Sequence, residues 1–298
     1  MPIETTSPYL LEAAEMNVLS GMKFAPRRSF TGRTAGERVS RKKGVSLEFA
    51  DYRDYAAGDD LRHLDWTILA RLDRPTIRTY QDEDDLAVYI ALDTSGSMDF
   101  GEPTKFSHAS RLAAAMGFVG LVGQDTVYGQ PLGGRQRPPG RPFRGRASFR
   151  ALSDWLAALR PEGHAGLAQS LIRFGTSGGH RPGLFVCVTD GLDPGVESGL
   201  RAVASRGFEI ALIQVLSPIE LDPDLEGDLR LLDAESSDPV EVTANRETLR
   251  VYKANLAEHC RRLEEATVRL GGRFFQSVVG QPLVEFITRD VRRAQLVR

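Results

Sequence analysis

The stretch Leu86-Ala87-Val88-Tyr89-Ile90-Ala91-Leu92-Asp93-Thr94-Ser95-Gly96-Ser97-Met98 runs from uninterrupted apolar residues into a carboxylate and two hydroxyls at alternate positions. A strand covered on both faces carries no polar alternation, so Leu86–Leu92 reads as an interior parallel strand. In sheets of that kind ligands gather at the carboxyl ends of the strands, where loops converge. A turn there lets Asp93, Ser95 and Ser97 point at one place. Their oxygens suit a hard cation such as Mg²⁺ or Mn²⁺ and do not suit zinc. A second apolar run, Leu184–Thr189, ends in Val188-Thr189-Asp190-Gly191. If the two strands are neighbours, Asp190 adds a second carboxylate to the same place. The plainer alternative is that Ser or Asp before a helix only caps it.

Outward from Asp93 the pattern alternates. Residues 104–121 read as a helix, Thr126–Leu132 as a strand, and Gly133–Arg150 as an exposed loop rich in Gly, Pro and Arg. Helices at 148–160 and 166–174 precede Leu184–Thr189; a helix near 196–206 leads into the strand Phe208–Leu216. After a loop at 217–228, Leu229–Leu232 and Val240–Thr243 suit a small hairpin. A long helix from Arg246 to Leu270, a strand Arg273–Val278 and a helix from Pro282 complete the chain. This order predicts an α/β fold: a Rossmann-like, doubly wound, mostly parallel sheet over 86–298, with an insertion at about 217–245. Residues 1–85 read as an N-terminal extension. It holds a short helix at 9–20, a basic stretch (Lys23, Arg27, Arg28, Arg33, Arg38, Arg41, Lys42, Lys43), then mixed Asp and Arg from Glu48 onward. Asp59 or Asp60 is positioned to cap a short helix that turns Leu61, Leu64 and Trp66 inward.

Composition narrows the function classes. Among 298 residues, 41% are hydrophobic and 26% charged, with a formal net charge of -2, so global charge favours neither nucleic acid nor membrane. The two cysteines, Cys187 and Cys260, lie in core-like patterns and suit a reducing compartment. No leader-like start and no apolar run of about 18 residues is present, so a soluble, cytoplasmic protein is expected. There is no P-loop, no His-x-x-x-His pair and no Gly-x-Ser-x-Gly elbow. Arg135, Arg137, Arg141, Arg144 and Arg146 give a basic loop with only Phe143 and Phe149 as candidate stacking residues, so a solvated loop is favoured over nucleic-acid binding.

Asp93–Met98 with Thr189-Asp190-Gly191 resembles the metal-ion-dependent adhesion site of von Willebrand factor A domains. Tyr55-Ala56-Ala57-Gly58-Asp59-Asp60-Leu61-Arg62-His63-Leu64-Asp65-Trp66, continuing to Ala70-Arg71, resembles the signature of the bacterial family called domain of unknown function 58. The likeness runs on through Leu216-Ser217-Pro218-Ile219-Glu220 and Leu231-Leu232-Asp233. It implies a von Willebrand factor A-like domain in which Ser95 and Ser97 bind the metal directly and Asp93 and Asp190 hold it directly or through water. Ala165 falls where that family carries a threonine ligand, so weaker metal binding is implied. Many family members have two membrane helices upstream of the signature; this chain resembles a soluble member. The resemblance also implies a MoxR-type AAA+ ATPase as partner, in assembly or activation of other proteins. The expected function is therefore a non-catalytic protein-interaction module. The alternative is a metal-dependent hydrolase or phosphoryl-transfer enzyme using Asp93 and Asp190. Its catalytic set looks incomplete, because Ser95 stands where aspartyl phosphatases carry their acid.

Overall fold

In chain order the first elements are α1 (Ala13–Leu19), β1 (Glu48–Asp54), α2 (Trp66–Leu72) and β2 (Thr76–Gln81). The computed structural model describes residues 10–28, 30, 48–56, 61, 64–81, 86–133, 141–162, 166–232 and 239–298. Contacts divide the chain into two units, Met1–Ser29 with Leu86–Arg298, and Phe30–Asp85.

In the smaller unit β1 and β2 form an antiparallel pair. Leu64 bridges Ile77, and both side chains are buried. The cap of α2 is Asp65, whose Oδ1 accepts the N–H groups of Thr67 (2.9 Å) and Ile68 (3.1 Å). Asp59 and Asp60, the caps expected from sequence, lie outside the described residues, as do Arg62 and His63. Leu64 turns inward as expected, whereas Leu61 and Trp66 do not: Trp66 is 63% exposed. With the cap at Asp65, Trp66 becomes the first residue of a seven-residue helix, and its side chain faces solvent.

The larger unit continues with β3 (Ala87–Asp93), α3 (Lys105–Val122), β4 (Thr126–Leu132), β5 (Phe143–Arg144), α4 (Phe149–Ala157) and α5 (Leu167–Thr176). Then follow β6 (Leu184–Thr189), α6 (Val196–Ser205), β7 (Glu209–Leu216), α7 (Pro218–Leu221), β8 (Gly227–Leu232) and β9 (Pro239–Ala244). The last elements are α8 (Arg246–Arg269), β10 (Arg273–Val278) and α9 (Leu283–Glu285), the latter running into a π-helical turn, Phe286–Val291. The sheet order is β10-β7-β6-β3-β4-β5, parallel throughout except for β5. The fold is thus mixed α/β with a mostly parallel central sheet. The segment expected as a pure loop before residue 150 contributes the short edge strand β5, because Phe143 finds a buried place against Val127. Arg135 and Arg137 lie outside the described residues. The expected hairpin forms as β8 and β9.

Both faces of β3 are covered. Val88, Ile90 and Leu92 enter the cluster shared with α3 and the C-terminal helices, while Ala87, Tyr89 and Ala91 enter the cluster shared with α5, α6 and α8. Branched side chains on one face and small or flat ones on the other fix the register by volume, since core packing resists even single-methylene changes. A one-residue slip would exchange the two sets of side chains between buried faces, and such overpacking costs about 1–3 kcal/mol at each mismatched place. The helix α3 is buried around almost its whole circumference from Leu112 to Leu121, as an apolar helix at the centre of a domain must be.

The N-terminal segment belongs to this unit rather than forming one extension to residue 85. Phe24 bridges Val297, and Lys23 and Arg298 exchange two backbone hydrogen bonds of 3.1 and 2.9 Å.

The chain leaves β3 for β4 on one side and later returns to β6 on the other. That makes the carboxyl end of β3 a topological switch point, where adjacent loops part and leave a crevice.

Candidate functional site

β3 delivers Asp93 to that crevice. Leu92 pairs with Val188, so the ends of β3 and β6 lie side by side. Asp93 Oδ1 accepts the Ser95 N–H (2.9 Å), and Oδ2 accepts the hydroxyl of Thr189 (2.6 Å). The Ser95 and Ser97 hydroxyls are 3.1 Å apart on the 3₁₀ turn Gly96–Met98, whose fully buried Met98 pins the loop. Thr94 ties the same loop to β4 through its hydroxyl, which donates to the Leu132 carbonyl (2.9 Å). Asp93 and Ser95 are buried and Ser97 is half-buried.

From β6 comes Asp190, with one oxygen accepting the Leu192 N–H (3.2 Å) and the other accepting from Lys105 Nζ (2.8 Å). Lys105 also donates to Glu220 Oε1 (2.7 Å), and it is only 1% exposed. Glu220 comes from α7, where its other oxygen accepts the Ser217 N–H (2.7 Å) and closes a capping box. Lys105 is the first residue of α3, an end of the helix dipole that disfavours cations; the two carboxylates outweigh it. The Asp190 turn needs Gly191: its φ is +69°, and a Cβ there would come within 2.6 Å of Leu263 on α8. From the same helix His259 Nε2 donates to the Gly191 carbonyl (2.9 Å). Gln214 Nε2 donates to the Asp190 carbonyl (3.0 Å), and Gln276 Nε2 links Gln214 Oε1 (3.3 Å) with Cys260 Sγ (3.5 Å).

Burial pushes the Asp93 carboxyl well above the usual range and the nearby Asp190 pushes it further, against hydrogen bonds from Thr189 and Ser95. Burial works to lower Lys105, but Asp190 and Glu220 together hold it above its ordinary value, so it stays charged. Behind the site, burial and Asp93 push the Cys187 thiol up. Two carboxylates, Asp190 and Glu220, therefore share one ammonium, and Asp93 stands near them with no cation of its own among the described residues, in a largely dry place.

The structure brings Asp93, Ser95, Ser97 and Asp190 to one end of two adjacent strands. Sequence reasoning missed Lys105, Glu220 and the hydroxyl bond from Thr189. A lysine at a helix start, where acids are preferred, is the local signal that could have found Lys105. Ala165 and His164 lie outside the described residues. Two hydroxyls beside a carboxylate fit a hard divalent ion in donor type, while the charge of Asp190 is already met by Lys105. Among the described residues no three His, Cys, Asp or Glu side chains form a metal-binding group. The two aromatic residues of the arginine-rich segment, Phe143 and Phe149, are buried and offer no stacking face. Among the described residues no helix is long and apolar enough to cross a membrane.

The family model described as "Protein of unknown function DUF58" matches residues 51–262. The chain is 30% identical over 227 residues to Uncharacterized protein Mb1516 of Mycobacterium bovis and to Uncharacterized protein Rv1480 of Mycobacterium tuberculosis, covering 73% of this chain and 70% of each relative. Among solved structures, similarity is found to conserved hypothetical protein BatB from Bacteroides thetaiotaomicron, at 16% identity and TM-score 0.40, over 70% of this chain and 98% of that one. An aerotolerance-related membrane protein from Bacteroides fragilis matches at 17% identity and TM-score 0.42, over 70% of this chain and 99% of that one.

Proposed function

The chain belongs to the DUF58 family of proteins of unknown function, and we propose that it is a non-catalytic protein-interaction module that docks partners over the Asp93–Asp190 crevice. The observation that carries this reading is the rim around the charged centre. Each loop that supplies a polar group also exposes a large apolar one nearby: Phe100 (43% exposed) after Ser97, Leu192 (40%) after Asp190, and Ile219 (54%) before Glu220. Apolar side chains around a few placed polar groups suit a protein partner, because removing that apolar surface from water supplies the affinity.

The crevice is read as a von Willebrand factor A-like adhesion site in which Ser95 and Ser97 would hold Mg²⁺ or Mn²⁺, with Asp93 and Asp190 nearby. A divalent ion bound there supplies an open coordination position for a partner's carboxylate. Asp93 and Thr189 keep the serine loop in place, and Met98 anchors its far side. The resemblance noted above makes a MoxR-type AAA+ ATPase the first partner to try and the cytoplasm the working compartment.

Surface plasmon resonance against a purified MoxR-type ATPase tests this, in Mg²⁺ and in EDTA. EDTA and Ser97→Ala should each weaken binding about tenfold, or about 1.4 kcal/mol, with the variant still folding cooperatively. Ile219→Ser should weaken it in both buffers. Equal binding by all three would discard the reading.

A further inference from the structure

Lys105 is the side chain that the adhesion-site reading does not use, although it is as fully buried as Asp93 and Asp190. Its ammonium bridges two acids from different loops, Asp190 at 2.8 Å and Glu220 at 2.7 Å. The two acceptors are unequal. Asp190 is on the loop next to Asp93, at the centre, and its side chain is 2% exposed. Glu220 is on the four-residue helix α7 at the margin, and its side chain is 14% exposed. Each acid keeps a backbone donor on its other oxygen, from Leu192 and Ser217, so each loop is held even without the lysine. A lysine is a compact charge on a flexible four-carbon stem, which can turn between two acceptors without backbone movement.

We propose that Lys105 is a built-in competitor for the divalent cation: it holds Asp190 in the cation-free state and retires onto Glu220 when a cation is loaded beside Asp93, Ser95 and Ser97. This rests on the cation-site reading above and adds its regulation. Glu220 is then the lysine's second berth. Its place in the capping box of α7 makes the adjoining Ile219 part of the surface that answers to loading. Without Lys105 the cation meets a free Asp190; without Glu220 the lysine has nowhere to retire and holds Asp190 more firmly.

The test is a Mn²⁺ titration of the full chain, following free Mn²⁺ by electron paramagnetic resonance. The proteins are the unaltered chain, Lys105→Met, Glu220→Gln and the double variant Lys105→Met/Glu220→Gln. The double variant removes one charge of each sign, so it separates competition at Asp190 from net charge. It also carries the test if Lys105→Met alone does not fold. Mn²⁺ should bind at least about tenfold more tightly to the double variant than to the unaltered chain, and more weakly to Glu220→Gln. Equal binding by the unaltered chain and the double variant overturns the role of Lys105 and leaves the cation site standing. No binding at millimolar Mn²⁺ by any of the four proteins overturns the cation site and this inference together.

Discussion

One sheet carries a buried ion pair at each end, and the two are built differently. At the amino ends of the strands Arg273 meets Glu209, both almost fully buried. The guanidinium also donates to the carbonyls of Ala294 (3.0 Å), Gln295 (3.1 Å) and Ala25 (3.2 Å). Glu209 in turn accepts the N–H groups of Arg27 (2.8 Å) and Arg28 (3.0 Å). A planar fork surrounded by backbone partners has one geometry, and this one knots the N-terminal segment to the C-terminal turn. At the carboxyl ends Lys105 reaches two side chains on separate loops. Fixed partners make a rivet, and exchangeable partners make a latch; position in the sheet separates the two, since loops for binding gather at the carboxyl ends.

The sharpest break in that comparison is Arg273→Met. It takes the counter-charge from buried Glu209, leaving only the Arg27 and Arg28 N–H groups, and removal of one partner from a buried pair costs about 3–5 kcal/mol. Urea denaturation should show that loss, and Mg²⁺ should not restore it. Lys105→Met should cost less, about 3 kcal/mol or below, because it takes no donor from a backbone carbonyl, whereas Arg273→Met takes the donors of three. Part of that loss should return in millimolar Mg²⁺. A Mg²⁺-independent deficit equal to that of Arg273→Met would make the lysine a second rivet.

The smallest effect concerns pH. His108 lies one turn along α3 from Lys105, its ring bonded to the Ser277 hydroxyl (2.9 Å). Burial, with a contribution from Arg111, lowers its pKa to about 4. The unfolded chain takes up a proton near pH 6.5 that the folded chain refuses, so this contribution is present above 6.5 and lost as pH falls toward 4. Between about pH 7 and pH 5 the loss is about 2 kcal/mol. Asp93 acts in the opposite sense, since a carboxyl raised by folding favours the native state at low pH. Denaturation midpoints for the unaltered chain and His108→Gln isolate the histidine: the variant should lose less stability on acidification, and equal slopes would exclude it as the source.

Where structure follows from local pattern, it was legible from the residues. The apolar run of β3, its length and its exit into Asp93 state a buried strand and a site, and the spacing of Leu184–Thr189 states a second. Adjacency of the two strands was a condition in the sequence reading and is a fact in the sheet. What stayed hidden depends on partners distant in the chain. Nothing around Lys105 announces a glutamate 115 positions downstream, and nothing around Phe24 announces Val297. Asp65 was not singled out as the cap of α2 for a related reason: several acids precede that helix, and composition does not choose among them.

The glutamine relay behind Asp190 has a practical consequence. Of the two thiols, Cys187 is sealed in the core, whereas Cys260 is only half-buried and joined through Gln276 and Gln214 to the Asp190 carbonyl. A chain with one reachable thiol comes with its own labelling position. The speed at which that sulfur is alkylated becomes a clock on the crevice, read on the unaltered protein and without touching any residue of the site.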